Sequence, residues 1–169
     1  MPNAVCTVLT LAAILLGCVS GHSESTNAPL TFYIVSQQRL EGGRFINTTN
    51  FPELGYIAAH PDLTVTNLAD VFPAKVANFA IMGDGNGTNT VVPTQPPPSL
   101  TVVLTDGDAR KFTLLTERAL DKQLLIMLGE RPLTAPRVLF PIMSPAFGID
   151  FTNAAEMKLT EDGLKGLVR

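Results

Sequence analysis

Apolar and polar positions in the first half of the chain alternate over short stretches, which predicts strands. Residues 30–36 are rich in β-branched and aromatic side chains and predict a strand. Short apolar pieces at residues 45–46, 56–58 and 63–65 lie among Pro, Asn and Gly, and we expect short strands and loops there. Residues 68–71 fit either a helical turn or the start of a strand.

The middle of the chain predicts two strands around a long polar loop. Residues 74–82 alternate as a strand does, and residues 100–104 form a second apolar run. Between them, residues 83–99 are rich in Gly, Asn, Thr and Pro and predict a loop. We expect the two strands to pair as a hairpin with a long connection.

The clearest helical pattern covers residues 105–120. Thr105 is a suitable N-cap, and Asp106 and Asp108 lie in the first turn, where the helix dipole favours anions. One apolar face is formed at helical spacing by Ala109, Phe112, Leu115 and Ala119. The continuous apolar run at residues 123–128 then predicts a short buried strand.

The end of the chain predicts more strands and a final helix. Residues 133–142 are flanked or interrupted by prolines, so a strand there must lie at an edge or contain a bulge. Residues 147–151 predict a strand, and residues 160–168 a short helix capped by Thr160. The order β-α-β-β-β-α predicts an α+β fold, a small and largely antiparallel sheet with one main helix packed on one face.

The N-terminus predicts export. Residues 5–16 are almost wholly apolar, but this run is shorter than the roughly 20 residues that a transmembrane helix needs. Small residues follow it, as in a signal segment, although no Lys or Arg precedes Arg39. Leu15-Leu16-Gly17-Cys18 resembles a bacterial lipobox, which implies lipidation of Cys18. Cleavage after Gly21, giving a soluble periplasmic or secreted protein, and an uncleaved anchor are the alternatives.

These patterns divide the chain into four parts and limit its chemistry. We expect a signal segment at residues 1–21, a tether at 22–29, strands and loops at 30–72 and the β-α-β-β core at 73–169. The net charge of −3 offers no basic surface for nucleic acid. Cys6 and Cys18 are the only cysteines and precede the predicted fold, so we expect no disulfide or thiolate metal site there.

No catalytic, metal-binding or cofactor-binding constellation stands out. His60 and Asp62 would need a serine nucleophile for a triad, and no nucleophile-elbow pattern is present. Asp84 begins a stretch like a calcium loop, but the Gly and Glu that an EF-hand needs are replaced by Asn89 and Gln95. We therefore expect a protein that is not an enzyme and holds no cofactor.

One pattern joins the strand at residues 100–104, the helix after it and a following strand that continues into Leu-Thr-Ala-Pro. It resembles the head of the first periplasmic domain of SecD, from the SecDF protein-export complex. Residues 100–105 and 109–116 resemble the strand and helix of that family. Residues 126–136, which end in Leu-Thr-Ala-Pro, resemble its next strand without a gap. The Asp-Gly turn of the family is replaced by Gly129-Glu130, and its Gly-Gly is replaced by residues 143–146. The resemblance covers roughly residues 74–168.

The resemblance implies a role at the cell envelope. SecD assists polypeptides that leave the translocon, and its proton-driven motor needs ionisable groups inside the membrane. Because this sequence has none after the signal segment, we expect only a binding or assembly role to carry over. Candidate contacts to a polypeptide or envelope protein are the loop at residues 83–99 and an edge run that includes Leu133, Thr134, Ala135, Pro136, Val138 and Phe140. The alternatives are a lipoprotein that scaffolds another envelope protein, and an enzyme of unrecognised type.

Overall fold

The computed structural model describes residues 28–74, 78–83, 89–94 and 97–169. The predicted signal segment and Cys18 lie outside these residues. Within them the chain forms strands and helices in the order β1 (Leu30–Ile34), β2 (Arg44–Thr48), β3 (Phe51–Ile57), β4 (Leu63–Val65), β5 (Leu68–Pro73), β6 (Asn78–Gly83), β7 (Asn89–Thr94), β8 (Ser99–Leu104), α1 (Asp106–Arg118), β9 (Leu124–Leu128), β10 (Arg131–Thr134), β11 (Ala146–Asp150) and α2 (Ala154–Lys165).

A four-stranded antiparallel sheet, in the order β10-β9-β1-β4, forms the centre of the fold. Every residue of β9 is buried, and its side chains alternate between two separate cores. Leu124 and Ile126 point into the main core, whereas Leu125 and Met127 point into a smaller one. Because both faces of this sheet are covered, β9 is apolar at every position rather than at alternate ones.

The main core lies between the four-stranded sheet, the two helices and a three-stranded antiparallel sheet, β11-β8-β5. Three aromatic rings meet at its centre. The Phe112 ring of α1 lies 5.2 Å from Phe32 of β1 and 5.2 Å from Phe147 of β11, measured between ring centroids. These contacts fix α1 against both sheets, as its predicted apolar face requires.

The hairpin formed by β2 and β3 covers the opposite face of the four-stranded sheet. Ile46, Leu54 and Ile57 pack there against Tyr33 and Val35. Gly55 makes close approach possible, since a Cβ atom at this position would lie 2.7 Å from the Ser36 carbonyl oxygen. Backbone hydrogen bonds between Ser36 and Tyr56 join the hairpin to the residues that directly follow β1.

The α+β class predicted from the sequence is confirmed, as are helix α1, the buried strand β9 and an edge strand with a bulge at β10. Residues 68–71 belong to strand β5 rather than to a helical turn. Strands from residues 30–72 enter both larger sheets, because β1 pairs with β9 and β5 pairs with β8. The two halves of the chain therefore share one main core.

Two predictions around the central loop were wrong. Residues 83–99 are not a single loop, since they contain β7. Its residues Thr90, Val91 and Val92 pair with β6. Strand β8 does not pair with residues 74–82 and instead lies between β5 and β11. The β6–β7 pairing closes a shorter loop than the expected one, which costs less chain entropy. Residues 84–88 and 95–96 lie outside the described part of the chain.

The final helix begins six residues earlier than predicted. Asn153 is its N-cap, and its side-chain oxygen accepts a hydrogen bond of 2.8 Å from the Glu156 N–H. Thr160 lies inside α2, where its hydroxyl donates to the Glu156 carbonyl oxygen and accepts from Arg131. Thr160 is therefore a buried packing residue rather than a cap. In the part of the chain described, neither helix is long and apolar enough to cross a membrane.

Candidate protein-binding surface

The predicted contact run begins as the outer strand of the four-stranded sheet. Strand β10 pairs with β9 on one side and has no strand on the other among the described residues. Backbone pairing with β9 and the residues just before it continues beyond Thr134. The Leu124 N–H donates to the Pro136 carbonyl oxygen, and the Val138 N–H donates to the Lys122 carbonyl oxygen. Residues 131–138 thus form one extended edge with a register shift between Pro132 and Thr134.

The edge continues into residues 139–143, which we name the apolar arm. The arm lies along α1 and is held there by two threonines. The Thr113 hydroxyl donates to the Ile142 carbonyl oxygen at 2.9 Å, and the Ile142 N–H donates to the Thr116 hydroxyl at 3.0 Å. Thr116 is fully buried and its hydroxyl also donates to the Thr113 carbonyl oxygen, so the attachment has a fixed geometry.

The apolar arm exposes large side chains to solvent. Leu139 is 62% exposed, Phe140 78% and Met143 77%. Isolated exposed apolar residues are common on proteins, but three on one short segment form an apolar patch, which makes this segment a candidate contact site. Because the backbone of the arm is fixed to α1, its apolar side chains are presented at low conformational cost to a partner.

The predicted contact residues fall into three environments. Leu133, Thr134 and Ala135 are half-buried, with Leu133 against the main core and Ala135 against the smaller one. Val138 is 5% exposed and belongs to the main core. Pro136 and Phe140 are exposed. The structure thus places the predicted residues on one continuous segment, but only some of their side chains face solvent.

Sequence reasoning ended the contact run at Phe140 and so missed Met143 as a surface residue. The signal was present, since Leu139-Phe140-Pro141-Ile142-Met143 is an apolar run with a proline in its centre. A proline cannot donate to a sheet, so such a run is hard to bury as a central strand. The other predicted contact, the loop at residues 83–99, lies largely outside the residues whose side chains are described.

An open cleft of about 770 Å³ lies beside the edge. It is lined on one side by residues that follow β1, among them Val35 and Gln38, and on the other by Asp121 and Gln123 of the connection between α1 and β9. Arg137 of the edge also lines it. Asp121 lies in the turn after α1, which the Lys122 N–H closes by donating to the Ala119 carbonyl oxygen, and its backbone φ of 61° is a left-handed conformation that favours Gly or Asn. Its carboxylate faces the Arg137 guanidinium at 3.3 Å, and both side chains are exposed.

The residues that suggested catalysis do not come together. Asp62 lines the cleft, but one of its oxygens accepts from the Ile34 N–H and the other from Arg118. His60 is exposed and does not line the cleft. In the described ranges, no three His, Cys, Asp or Glu side chains are grouped so that they hold a metal ion.

A cluster of charged side chains lies on α2. The Glu161 carboxylate is buried and lies 2.6 Å from the Lys165 ammonium and 3.5 Å from that of Lys158. The hydrogen bond from Lys165, together with the positive charge of both lysines, lowers the pKa of Glu161 below its ordinary value. Bonds to Asp162 and Glu161 raise the pKa of Lys158. The cluster ties the turns of α2 together and is structural.

The sheets, helices and exposed arm define a small α+β domain with an exposed apolar segment at a sheet edge. Its fold is similar to that of part of SecDF. One solved structure, described as SecDF, a membrane component that enhances protein export, matches 83% of this chain and 63% of its own length, with a TM-score of 0.56 and 22% identity. A second, SecDF in a super-membrane-facing form, matches 83% of this chain and 19% of its own, with a TM-score of 0.56 and 20% identity.

The likeness to SecDF is one of fold. The chain spans less than two thirds of the length of either SecDF chain. No family model matches the sequence, and no curated protein sequence does. The SecD-like fold expected from the resemblance is confirmed.

Proposed function

We propose that this protein is a non-enzymatic, SecD-head-like module that binds polypeptide at the cell envelope. The observation that carries the proposal is the apolar arm, which holds Leu139, Phe140 and Met143 in solvent beside an open strand edge. The solved structures that share the fold are of a protein that enhances protein export. That likeness supports an export-related role for this chain.

The surface suits transient contact with unfolded chains. An exposed aromatic and two flexible apolar side chains provide hydrophobic contact area without a deep, shaped pocket. Such a contact discriminates weakly among sequences, because apolar burial is non-directional. A module that meets many different polypeptides needs this tolerance.

We further propose that Cys18 carries the lipid that keeps the module at the membrane. The Leu15-Leu16-Gly17-Cys18 pattern supports this, and residues 22–29 serve as a tether. Incorporation of radiolabelled palmitate into the wild type, and its loss in Cys18→Ser, is the expected result. Equal labelling of both proteins, or of neither, contradicts lipidation at Cys18.

Binding of a permanently unfolded polypeptide tests the central proposal. A reduced, carboxymethylated and fluorescently labelled polypeptide is titrated with wild type, Phe140→Ser and the control Leu159→Ser, since Leu159 on α2 is also exposed, at 53%. Loss of one buried aromatic contact predicts roughly tenfold weaker binding for Phe140→Ser. The control is expected to bind as the wild type does. Equal affinities of all three proteins, or no binding at all, contradict the proposal.

A further inference from the structure

The hydrogen-bond pattern of the edge shows which backbone groups remain open. Pro136 and Val138 direct their bonding groups towards β9, as the bonds to Leu124 and Lys122 demonstrate. Successive residues of a strand direct these groups alternately to its two sides. Ala135 and Arg137 therefore direct their N–H and C=O groups away from the sheet, and none of the described residues forms a backbone hydrogen bond with them.

The first part of the edge is protected against an added strand. Pro132 has no N–H to offer, and the register shift between Pro132 and Thr134 breaks the regular spacing of the outer groups. Proteins commonly use prolines and bulges to blunt a sheet edge. Beyond Thr134 this protection ends. The bonding side of Pro136 faces β9, so the outward N–H and C=O groups of Ala135 and Arg137 remain available.

We propose that an extended segment of another polypeptide adds as a strand to this open edge and forms hydrogen bonds with the backbones of Ala135 and Arg137. The inference rests on the proposed function and gives it a binding mode. The added strand would lie next to Leu139 and Phe140, whose exposed side chains supply the apolar part of the contact. Strand addition draws affinity from backbone groups that every non-proline residue carries, so it accepts many sequences.

The short length of the open edge favours a passing segment over a second copy of this chain. The open edge offers only two residues with outward backbone groups, together with the exposed apolar arm. The surface area that these can bury is far smaller than the roughly 1,000 Å² of a stable interface. Such a contact forms and releases readily, which suits an extended polypeptide held in one place for a short time.

A proline substitution removes the outward donor without touching the inward pairing. Arg137→Pro deletes the outward N–H. Arg137 lies opposite Gln123 in an antiparallel bridge, and the residue before a proline prefers the extended conformation of such pairing. Arg137→Ala is the matched control, since it keeps the N–H and loses the guanidinium. Thermal melts of both variants verify that they fold. The probe is a short, soluble peptide of alternating valine and threonine, with a fully N-methylated version of the same peptide as a second control.

We expect Arg137→Pro to bind the peptide about tenfold more weakly than the wild type, and Arg137→Ala to bind within about threefold of it. The N-methylated peptide is expected not to bind. In the wild type, the peptide should slow amide exchange at Ala135 and Arg137. If Arg137→Pro binds as the wild type does while Phe140→Ser does not, strand addition is wrong and the proposed function stands. If the wild type binds no polypeptide at all, the proposed function fails with it.

The alternative occupant of the open edge is a second copy of this chain. Sedimentation of the protein with and without peptide distinguishes the two occupants. A wild type that dimerises without peptide, together with a monomeric Arg137→Pro variant, would show that the edge pairs with another copy of this chain. That result would overturn the inference. A wild type that stays monomeric until peptide is added supports it.

Discussion

Arg118 at the end of α1 donates a hydrogen bond of 3.0 Å to Asp62, the residue before β4. The second oxygen of the same carboxylate accepts from the Ile34 N–H at 2.9 Å, just where β4 stops pairing with β1. The Asp62 side chain thus extends the hydrogen bonding along the β4 side of β1 and connects β1 to α1. Only 18% of this side chain is exposed, whereas Arg118 is 64% exposed.

Asp62→Ala is expected to lower the free energy of unfolding by about 1–3 kcal/mol, because it leaves the Ile34 N–H without its acceptor. Arg118→Ala removes only an exposed partner and should cost no more than about 1 kcal/mol. Urea unfolding of both variants measures the two values. If Arg118→Ala lowers the free energy of unfolding as much as Asp62→Ala does, the ion pair rather than the bond to the Ile34 N–H provides the stability.

Thr116→Val tests how the apolar arm is held. The valine keeps the volume but leaves the Ile142 N–H without an acceptor, so we expect a loss of about 1–3 kcal/mol in unfolding free energy. Amide exchange of the arm should also become faster. Thr134→Val serves as the control, since its hydroxyl makes no side-chain hydrogen bond within the described part of the chain. Unchanged exchange of the arm in Thr116→Val contradicts the attachment described above.

Glu161→Gln tests the charged cluster on α2. The folded protein lowers the pKa of Glu161, so the ionised form adds stability that is fully present above the ordinary glutamate pKa, near 4.5. This stability is lost as the pH falls through the lower pKa of the folded protein. The variant should therefore be less stable than the wild type at neutral pH, and the difference should shrink below pH 4.5. A difference that stays constant with pH would rule out the ionised carboxylate as its source.

Two glycine substitutions of opposite expected effect test the packing of the β2–β3 hairpin and the open space at the start of α1. Gly55 has a φ of 132°, and a Cβ atom there would meet backbone and side-chain atoms within 3 Å. Gly55→Ala is expected to destabilise the fold by about 2–4 kcal/mol. Gly107 in the first turn of α1 has open space around it, so Gly107→Ala should stabilise by up to about 1 kcal/mol. Chemical denaturation measures both, and equal effects would contradict the described packing.

The sequence predicted those elements whose signals are local. Helix α1 has its apolar face and first-turn aspartates within one segment, and the apolar run of β9 is continuous. Strand β7 was missed because Gly, Asn and Pro on either side make its surroundings resemble a loop. The start of α2 was missed because Thr160 is a suitable cap by residue type, whereas the structure buries Thr160 against Arg131 and caps the helix with Asn153.

The candidate surface was predictable only in part. The prolines at 132 and 136 indicated an edge, and the structure has one there. The burial of Val138 and the exposure of Met143 depend on how the arm lies along α1, and this follows from hydrogen bonds to Thr113 and Thr116 that are distant in sequence. Asp62 was considered beside His60 as a possible triad member, and its bond to Ile34 had no sequence signal.

Site-specific photo-cross-linking in cells tests most directly whether the apolar arm meets polypeptide at the envelope. A photoreactive amino acid replaces Phe140 or Met143 in separate variants, and Leu159 in the control, all three of which are exposed apolar positions. We predict cross-links to exported polypeptides from positions 140 and 143 and none above background from position 159. Equal labelling at all three positions, or labelling at 159 alone, would contradict the account.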